Sequence, residues 1–180
     1  MQVKIKKLHK NAVIPSYAKD GDAGMDITAI SKSYDEHGNV VYGTGLAFEI
    51  PNGYAGLLFP RSSNTKKDLI LGNSVGVIDS GYRGEVVFKF KLIMNCQKVE
   101  KAKCDGADGF DLDTYSVGDR IGQIVIMPVP KIEFIEVDEL SSSDRGVGGF
   151  GSTDEDTLDN IEADKRMASQ KRISVNIEDL

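Results

Sequence analysis

The sequence predicts an all-β fold, and three observations carry that expectation. Apolar and polar residues alternate over Val40 to Ile50, and again through Val86, Phe88 and Phe90, the period of a strand with one buried face. Turn signatures, Pro51-Asn52-Gly53 and Asp79-Ser80-Gly81, punctuate these runs. Helical spacing is confined to Leu158, Ile161, Met167 and Ala168 in a charged C-terminal stretch.

Taken in order, Val3, Ile5 and Leu8 suggest a first strand, followed by a polar loop with Pro15. In Asp22-Ala-Gly-Met-Asp26-Ile-Thr-Ala29 the chain starts another, with Gly24 allowing a turn or a close approach and the Asp26 carboxylate set between Met25 and Ile27. Tyr54, Leu57, Leu58 and Phe59 read as a strand that Pro60-Arg61-Ser62-Ser63 ends abruptly. Val75 and Val77 on one side of Asp79-Ser80-Gly81, and Val86, Phe88 and Phe90 on the other, read as the arms of a β-hairpin. Ile93 to Ser116 is of different character: mixed charge, both cysteines and Asp105-Gly-Ala-Asp-Gly109 suggest an insertion or long loop. Val117 to Ile126 resumes the β pattern, and Ile132, Phe134, Ile135 and Val137 predict a final strand. The expected organisation is a β-strand domain over residues 1–140 with an insert at about 93–116, a glycine-rich segment over 141–153, and a charged extension over 154–180, where Ile173, Val175 and Ile177 alternate like a strand.

A chain of 180 residues is one domain's worth, and its net charge of −6 with a pI near 5.0 supplies no basic stripe for nucleic acid or an anionic membrane. No apolar run approaches a membrane span and no signal-peptide core follows the N-terminal charges, so a soluble cytoplasmic protein is expected. Cys96 and Cys104 lack the companions of a zinc site and are expected as free thiols, while His9 and His37 stand apart and suggest no metal. The spacing of Asp105, Asp108, Asp111 and Asp113 does not match an EF-hand.

Several stretches carry chemistry. At the hairpin mouth Asn73 offers an amide donor and a carbonyl acceptor, Tyr82 an aromatic wall, and Asp79 a carboxylate at the tip, a setting for a small flat ligand. Arg61 matches phosphate geometry, and Ser62 and Ser63 add hydroxyls. Gln123 is an amide inside an apolar strand and needs a partner in the fold or in a ligand. Gly146, Gly148 and Gly151 fit G-x-G-x-x-G, yet too little chain follows to build a dinucleotide-binding βαβ unit. What remains is a glycine loop bearing Arg145, Phe150, Ser152 and Thr153, suited to closing over a ligand with a cation on phosphate and a ring on a base.

Five of these stretches, in order, resemble the motifs of the trimeric dUTP pyrophosphatase family: Ala23-Gly-Met-Asp-Ile-Thr-Ala29, Pro60-Arg-Ser-Ser63, Gly76-Val-Ile-Asp-Ser-Gly-Tyr-Arg-Gly-Glu85, Gly118-Asp-Arg-Ile-Gly-Gln123 and Arg145-Gly-Val-Gly-Gly-Phe-Gly-Ser-Thr153. The resemblance implies a distorted jelly-roll β-barrel of the dUTPase β-clip type, a homotrimer with active sites shared among subunits, and hydrolysis of dUTP to dUMP and pyrophosphate, which limits uracil in DNA and supplies dUMP for dTMP synthesis. It further implies roles. Asp79 positions the attacking water and takes its proton. Asn73, Gly76 and Ile78 read the uracil edge, and the tight hairpin excludes thymine's methyl. Tyr82 packs on the deoxyribose and rejects a 2′-hydroxyl. Arg61, Ser62, Ser63 and Gln123 hold the α and β phosphates, and Arg145, Ser152 and Thr153 the γ. Phe150 stacks on the base, and Mg²⁺ bridges the phosphates with Asp26 reaching its water shell.

The chain departs from the family pattern where Asp154-Glu-Asp156 follows the fifth motif, where Gly122 replaces the more frequent Ala, and in the length of the Ile93 to Ser116 segment, which resembles the inserts of phage-type members. Two alternatives stand beside the main expectation: activity of the dCTP deaminase type on the same fold, and a regulatory role in which residues 93–116 or 154–180 hold a protein partner.

Overall fold

In the computed structural model, which describes residues 1–93 and 111–148, ten strands form around one apolar core. They are β1 (Lys4–Lys7), β2 (Met25–Thr28), β3 (Ser31–Tyr34), β4 (Val40–Gly43), β5 (Leu46–Glu49), β6 (Tyr54–Pro60), β7 (Leu69–Leu71), β8 (Gly76–Ile78), β9 (Val87–Leu92) and β10 (Arg120–Pro128). All pairing is antiparallel, in one pair, β1-β5, and two four-stranded sheets ordered β2-β10-β6-β8 and β3-β4-β9-β7. This is the jelly-roll arrangement, in which sequence neighbours are divided between sheets.

Strand β9 shows why the core forms. Phe88 and Phe90 are buried while Val87, Lys89 and Lys91 are exposed, so one face supplies aromatic mass and the other stays wetted. Phe90 meets Tyr42 edge-on, with ring centroids 5.8 Å apart, and Tyr115 packs on both. Ile27, Leu58, Ile121 and Ile124 close the core from the other sheet. The Tyr42 hydroxyl donates to the Tyr115 carbonyl at 2.9 Å, and burial pushes the phenol's pKa up, keeping it a donor. Tyr115 therefore belongs to the core although it falls inside the range expected to be an insert.

Two expectations need correction. The stretches flanking Asp79-Ser80-Gly81 are not paired as a hairpin: β8 bonds to β6, whereas β9 bonds to β4 and β7. After the turn the chain is captured by the β4–β5 corner, where Val86 N–H donates to the Leu46 carbonyl at 2.8 Å and Thr44 Oγ1 donates to the Val86 carbonyl at 2.6 Å. Buried Thr44 thus draws the chain into the other sheet. The final strand expected at Ile132 to Val137 is also not formed among the described residues, since alternation without a ladder partner leaves the backbone nothing to bond. Two compact units are distinguished, Met1–Ile132 and Glu133–Leu180, and in the second Phe134 and Ile135 are 93% and 81% exposed. No helix among the described residues is long and apolar enough to cross a membrane.

The β3–β4 turn is held by Asp35. Asn39 donates to it from its side chain and backbone, Lys89 Nζ lies at 3.1 Å and the His37 N–H at 3.1 Å. These donors, the Asn39 amide foremost, hold the carboxyl far below its ordinary pKa. A depressed folded-state pKa contributes stability above the unfolded value of about 3.9, lost as pH falls towards the folded pKa. The difference in melting temperature between the native protein and Asp35→Ala is therefore expected to be constant above pH ~5 and to shrink progressively below pH ~4 in thermal melts.

Candidate active site

The first cluster is built on the sheet β2-β10-β6. Register places Gln123 of β10 opposite Asp26 of β2 on one side and Phe59 of β6 on the other, and Arg61 follows the end of β6. The half-buried Asp26 carboxylate accepts from Arg61 Nε at 2.8 Å and Gln123 Nε2 at 3.1 Å on Oδ1, and from Arg120 Nη1 at 3.0 Å on Oδ2. Two guanidinium groups on one carboxylate leave the cluster with one formal positive charge. Arg61 Nη1 also reaches Ser63 Oγ at 3.4 Å, and Ser62 opens the 3-10 turn Ser62–Lys66, its carbonyl accepting from Thr65 Oγ1 at 2.8 Å. A cation, hydroxyls and an amide gathered at a strand end suit an oxyanion.

Arg120 was not singled out from the sequence, where it reads as half of the charged pair Asp119-Arg120. Its place beside Asp26 depends on a register shift in β10 between Arg120 and Gly122. Gly122 is the space that makes this strand possible: a Cβ there would stand 2.5 Å from the Phe88 Cζ and 2.9 Å from the Phe59 carbonyl oxygen. The buried Phe88 ring occupies the place of the alanine methyl more frequent in this motif.

The second cluster surrounds β8. Asn73, Gly76 and Val87 line a cavity of 340 Å³ that also includes Gly72, Leu58 and Lys91. Ile78, Asp79, Tyr82 and again Val87 line a smaller one of 140 Å³. Val87 stands between the two, a wall residue that alternation marked only as a strand position. Ser74, beside Asn73, has φ +61, the only non-glycine positive φ among the described residues, and Val75 N–H closes on the Asn73 carbonyl at 2.6 Å. Asp79 is exposed, and its carbonyl accepts from Tyr82 N–H at 3.0 Å.

Asp79, at the far end of the second cluster, lies apart from Arg61. Asp79 lines a surface recess with Gly53, Tyr54 and Ala55 at the start of β6, while Arg61 follows its end. Seven strand residues at about 3.3 Å each put roughly 20 Å between these positions within one chain. Arg145, in the Glu133–Leu180 unit, donates from Nε to the Gly148 carbonyl at 3.0 Å; Phe150, Ser152 and Thr153, like Cys96 and Cys104, lie outside the described residues.

Among the described residues no group of three or more acidic, His or Cys side chains is arranged to ligate a metal directly. Asp26 fits an indirect role. Oδ1 takes two donors and Oδ2 one, so an acceptor position remains on Oδ2 for a metal-bound water. Magnesium, which keeps several waters and takes its other oxygens from phosphates, suits such a partner.

Gly122→Ala is expected to lower stability by ~1–3 kcal/mol, because both the Phe88 ring and a backbone carbonyl would have to give way. Denaturant unfolding of the two proteins checks this.

Comparison with known proteins matches the dUTPase family model to residues 10–103 and 109–154. The chain is 41% identical over 155 residues to the deoxyuridine 5'-triphosphate nucleotidohydrolase of Nautilia profundicola, covering 85% of this chain and 99% of that one. Among solved structures it resembles a Staphylococcus bacteriophage 80alpha dUTPase carrying dUpNHpp, with a TM-score of 0.64 and 28% identity over 84% of this chain and 98% of that one. A dUTPase of phage phi11 of S. aureus, described with a structural Mg(II) ion, has a TM-score of 0.60 at 26% identity and covers 77% and 98%. With most of its length matched by the family model and by full-length relatives, the chain belongs to the dUTPase family.

Proposed function

We infer that the chain hydrolyses dUTP to dUMP and pyrophosphate at sites that copies of the chain build together as a homotrimer. The observation that carries this reading is the separation of Asp79 from Arg61 along β6. A carboxylate that activates water for attack on the α-phosphorus and an arginine that holds the same phosphate must lie within hydrogen-bond reach of one nucleotide. Roughly 20 Å in one chain is too far, so Asp79 of one copy meets Arg61 of another. The exposed Phe134 and Ile135 support the same reading, since apolar side chains of this size are expected to find cover in an assembly.

In this reading Asn73 and the backbone of Gly76 and Ile78 hold the uracil edge, with Val87 as the wall that limits the base at C5. Tyr82 packs on the deoxyribose. Arg61, Ser62, Ser63 and Gln123 hold the α and β phosphates, with Arg120 adding charge. Residues 141–153 act as the lid, with Arg145, Ser152 and Thr153 on the γ-phosphate and Phe150 on the base. Residues 93–116 and 154–180 are the segments available to a protein partner.

Asp79 holds a water in line with the α-phosphorus and accepts its proton as the oxygen bonds to phosphorus. The bond from that phosphorus to the oxygen bridging the β-phosphate breaks, and pyrophosphate leaves. A carboxylate is a weak base at neutral pH, so alignment and charge neutralisation supply most of the acceleration. Magnesium, held by the phosphates, would neutralise their charge, and Asp26 would accept from one of its waters through Oδ2. The guanidinium groups of Arg61 and Arg120 are held in place by Asp26, which is preorganisation of the kind that favours the transition state.

Pyrophosphate release from dUTP, run beside dTTP, UTP and dCTP, tests the activity. Asp79→Asn is expected to keep fold and nucleotide binding and to lose ~10²–10⁴ in turnover. Shared sites have a further consequence: Asp79→Asn and Arg61→Ala chains, each nearly inactive alone, are expected to recover activity at about a quarter of the sites when unfolded together and refolded as mixed trimers. No recovery in well-formed mixed trimers would place both residues in one chain's site.

A further inference from the structure

The loop that carries Asp79 is held by its own side chains. Arg83 Nη1 donates to the carbonyls of Ser80 at 2.7 Å and Tyr82 at 2.9 Å, and the Tyr82 hydroxyl donates to the Glu85 carbonyl at 3.0 Å. The Glu85 carboxylate in turn accepts from Gly45 N–H at 2.7 Å, tying the loop to the β4–β5 corner. The ring of Tyr82 thus folds back over its own loop and lies directly on Gly84. A Cβ at position 84 would stand 2.6 Å from the Tyr82 Cζ, too close for the ring to stay where it is, and 3.0 Å from Cε2.

We propose that Gly84 is a specificity-determining positioning residue: its bare Cα is the seat that fixes the Tyr82 ring where it excludes a ribose 2′-hydroxyl. This rests on the reading of Tyr82 as the sugar-facing residue. Tyr82 is 44% exposed, so a methyl at 84 would push the ring outward into solvent instead of disrupting the core. No other atom obstructs a Cβ at 84 as closely, since the three nearest all belong to Tyr82. The substitution is therefore mild for the fold and large for the ring. Discrimination between dUTP and UTP depends on where that ring stands, because a 2′-hydroxyl is refused by occupied volume, and a displaced ring leaves that volume open. Glu85 acts on the same ring by a second route, through the carbonyl that receives its hydroxyl.

The test is the ratio of kcat/KM for dUTP to that for UTP, measured for the native protein, Gly84→Ala, Tyr82→Ala and the double variant. The expected result is that Gly84→Ala lowers the ratio by at least about tenfold, mainly through gain on UTP, and that adding it to Tyr82→Ala changes the ratio no further, since the two act through one ring. An intact ratio in folded Gly84→Ala, with the ratio lost in Tyr82→Ala, overturns the proposal while leaving the role of Tyr82 standing. An intact ratio in Tyr82→Ala overturns both. Equal effects of Gly84→Ala with and without the ring overturn it as well. Should Gly84→Ala fail to fold, the double variant carries the test: with the Tyr82 ring removed the three atoms nearest the added Cβ are gone, so it is expected to fold, and a double variant that also fails to fold overturns the proposal.

Discussion

The Asp26 carboxylate, shared between two guanidinium groups and an amide, is the interaction on which the proposed phosphate side of the site depends. Each partner comes from a different point in the chain: Arg61 from the end of β6, Arg120 and Gln123 from β10. None of these long side chains would hold a single rotamer at a strand end without a partner, and ordering them when the nucleotide arrives would cost affinity. With the carboxylate in place the ordering is done during folding. The excess of one positive charge is what distinguishes this cluster from an ordinary ion-pair network, since a balanced network would have little attraction left for a triphosphate.

The proposed base and sugar side is organised differently, by backbone and by shape. Ser74 adopts a left-handed conformation beside Asn73, Gly76 runs along Leu58 of β6, and the 79–85 loop is closed by Arg83 and Tyr82. Charge attracts from a distance and tolerates small displacements, whereas exclusion by volume does not. In the proposed site the discriminating part therefore lies on short, mutually bonded loops and the attracting part on a broad sheet.

The strands and the residue types at each cluster were legible in the sequence because both are local. Alternation over Val40 to Ile50 and from Val86 to Phe90 became β4, β5 and β9, and the apolar run ending at Pro60 became β6. Pairing was not legible. The two stretches beside Asp79-Ser80-Gly81 look like hairpin arms because a turn signature sits between them, and it is contacts with the distant Thr44 and Leu46 that separate them. The three-residue β7 is too short to carry a period. Arg120 looks like a surface charge until a bulge in β10 brings it to Asp26, and Val87 looks like any exposed strand residue until cavities form on both sides of it. At Ile132 to Val137 the alternation is present but the described chain offers it no ladder, so pattern alone did not make a strand.

Asp68, at the head of β7, receives the Ile93 N–H at its carbonyl at 2.9 Å and the Asp113 N–H at its side chain at 2.7 Å, while its own N–H donates to the Asp113 carbonyl at 2.8 Å. Ile93 and Asp113 are thus pinned to the same residue. The described ends of the segment between them are therefore held side by side at Asp68. Closure entropy grows only logarithmically with loop length, at ~0.6 kcal/mol per doubling, so a segment rooted in this way can be lengthened, shortened or exchanged with little consequence for the barrel. Asp68 makes this the place where an engineer could splice in a foreign sequence while leaving the barrel's strand pairing alone.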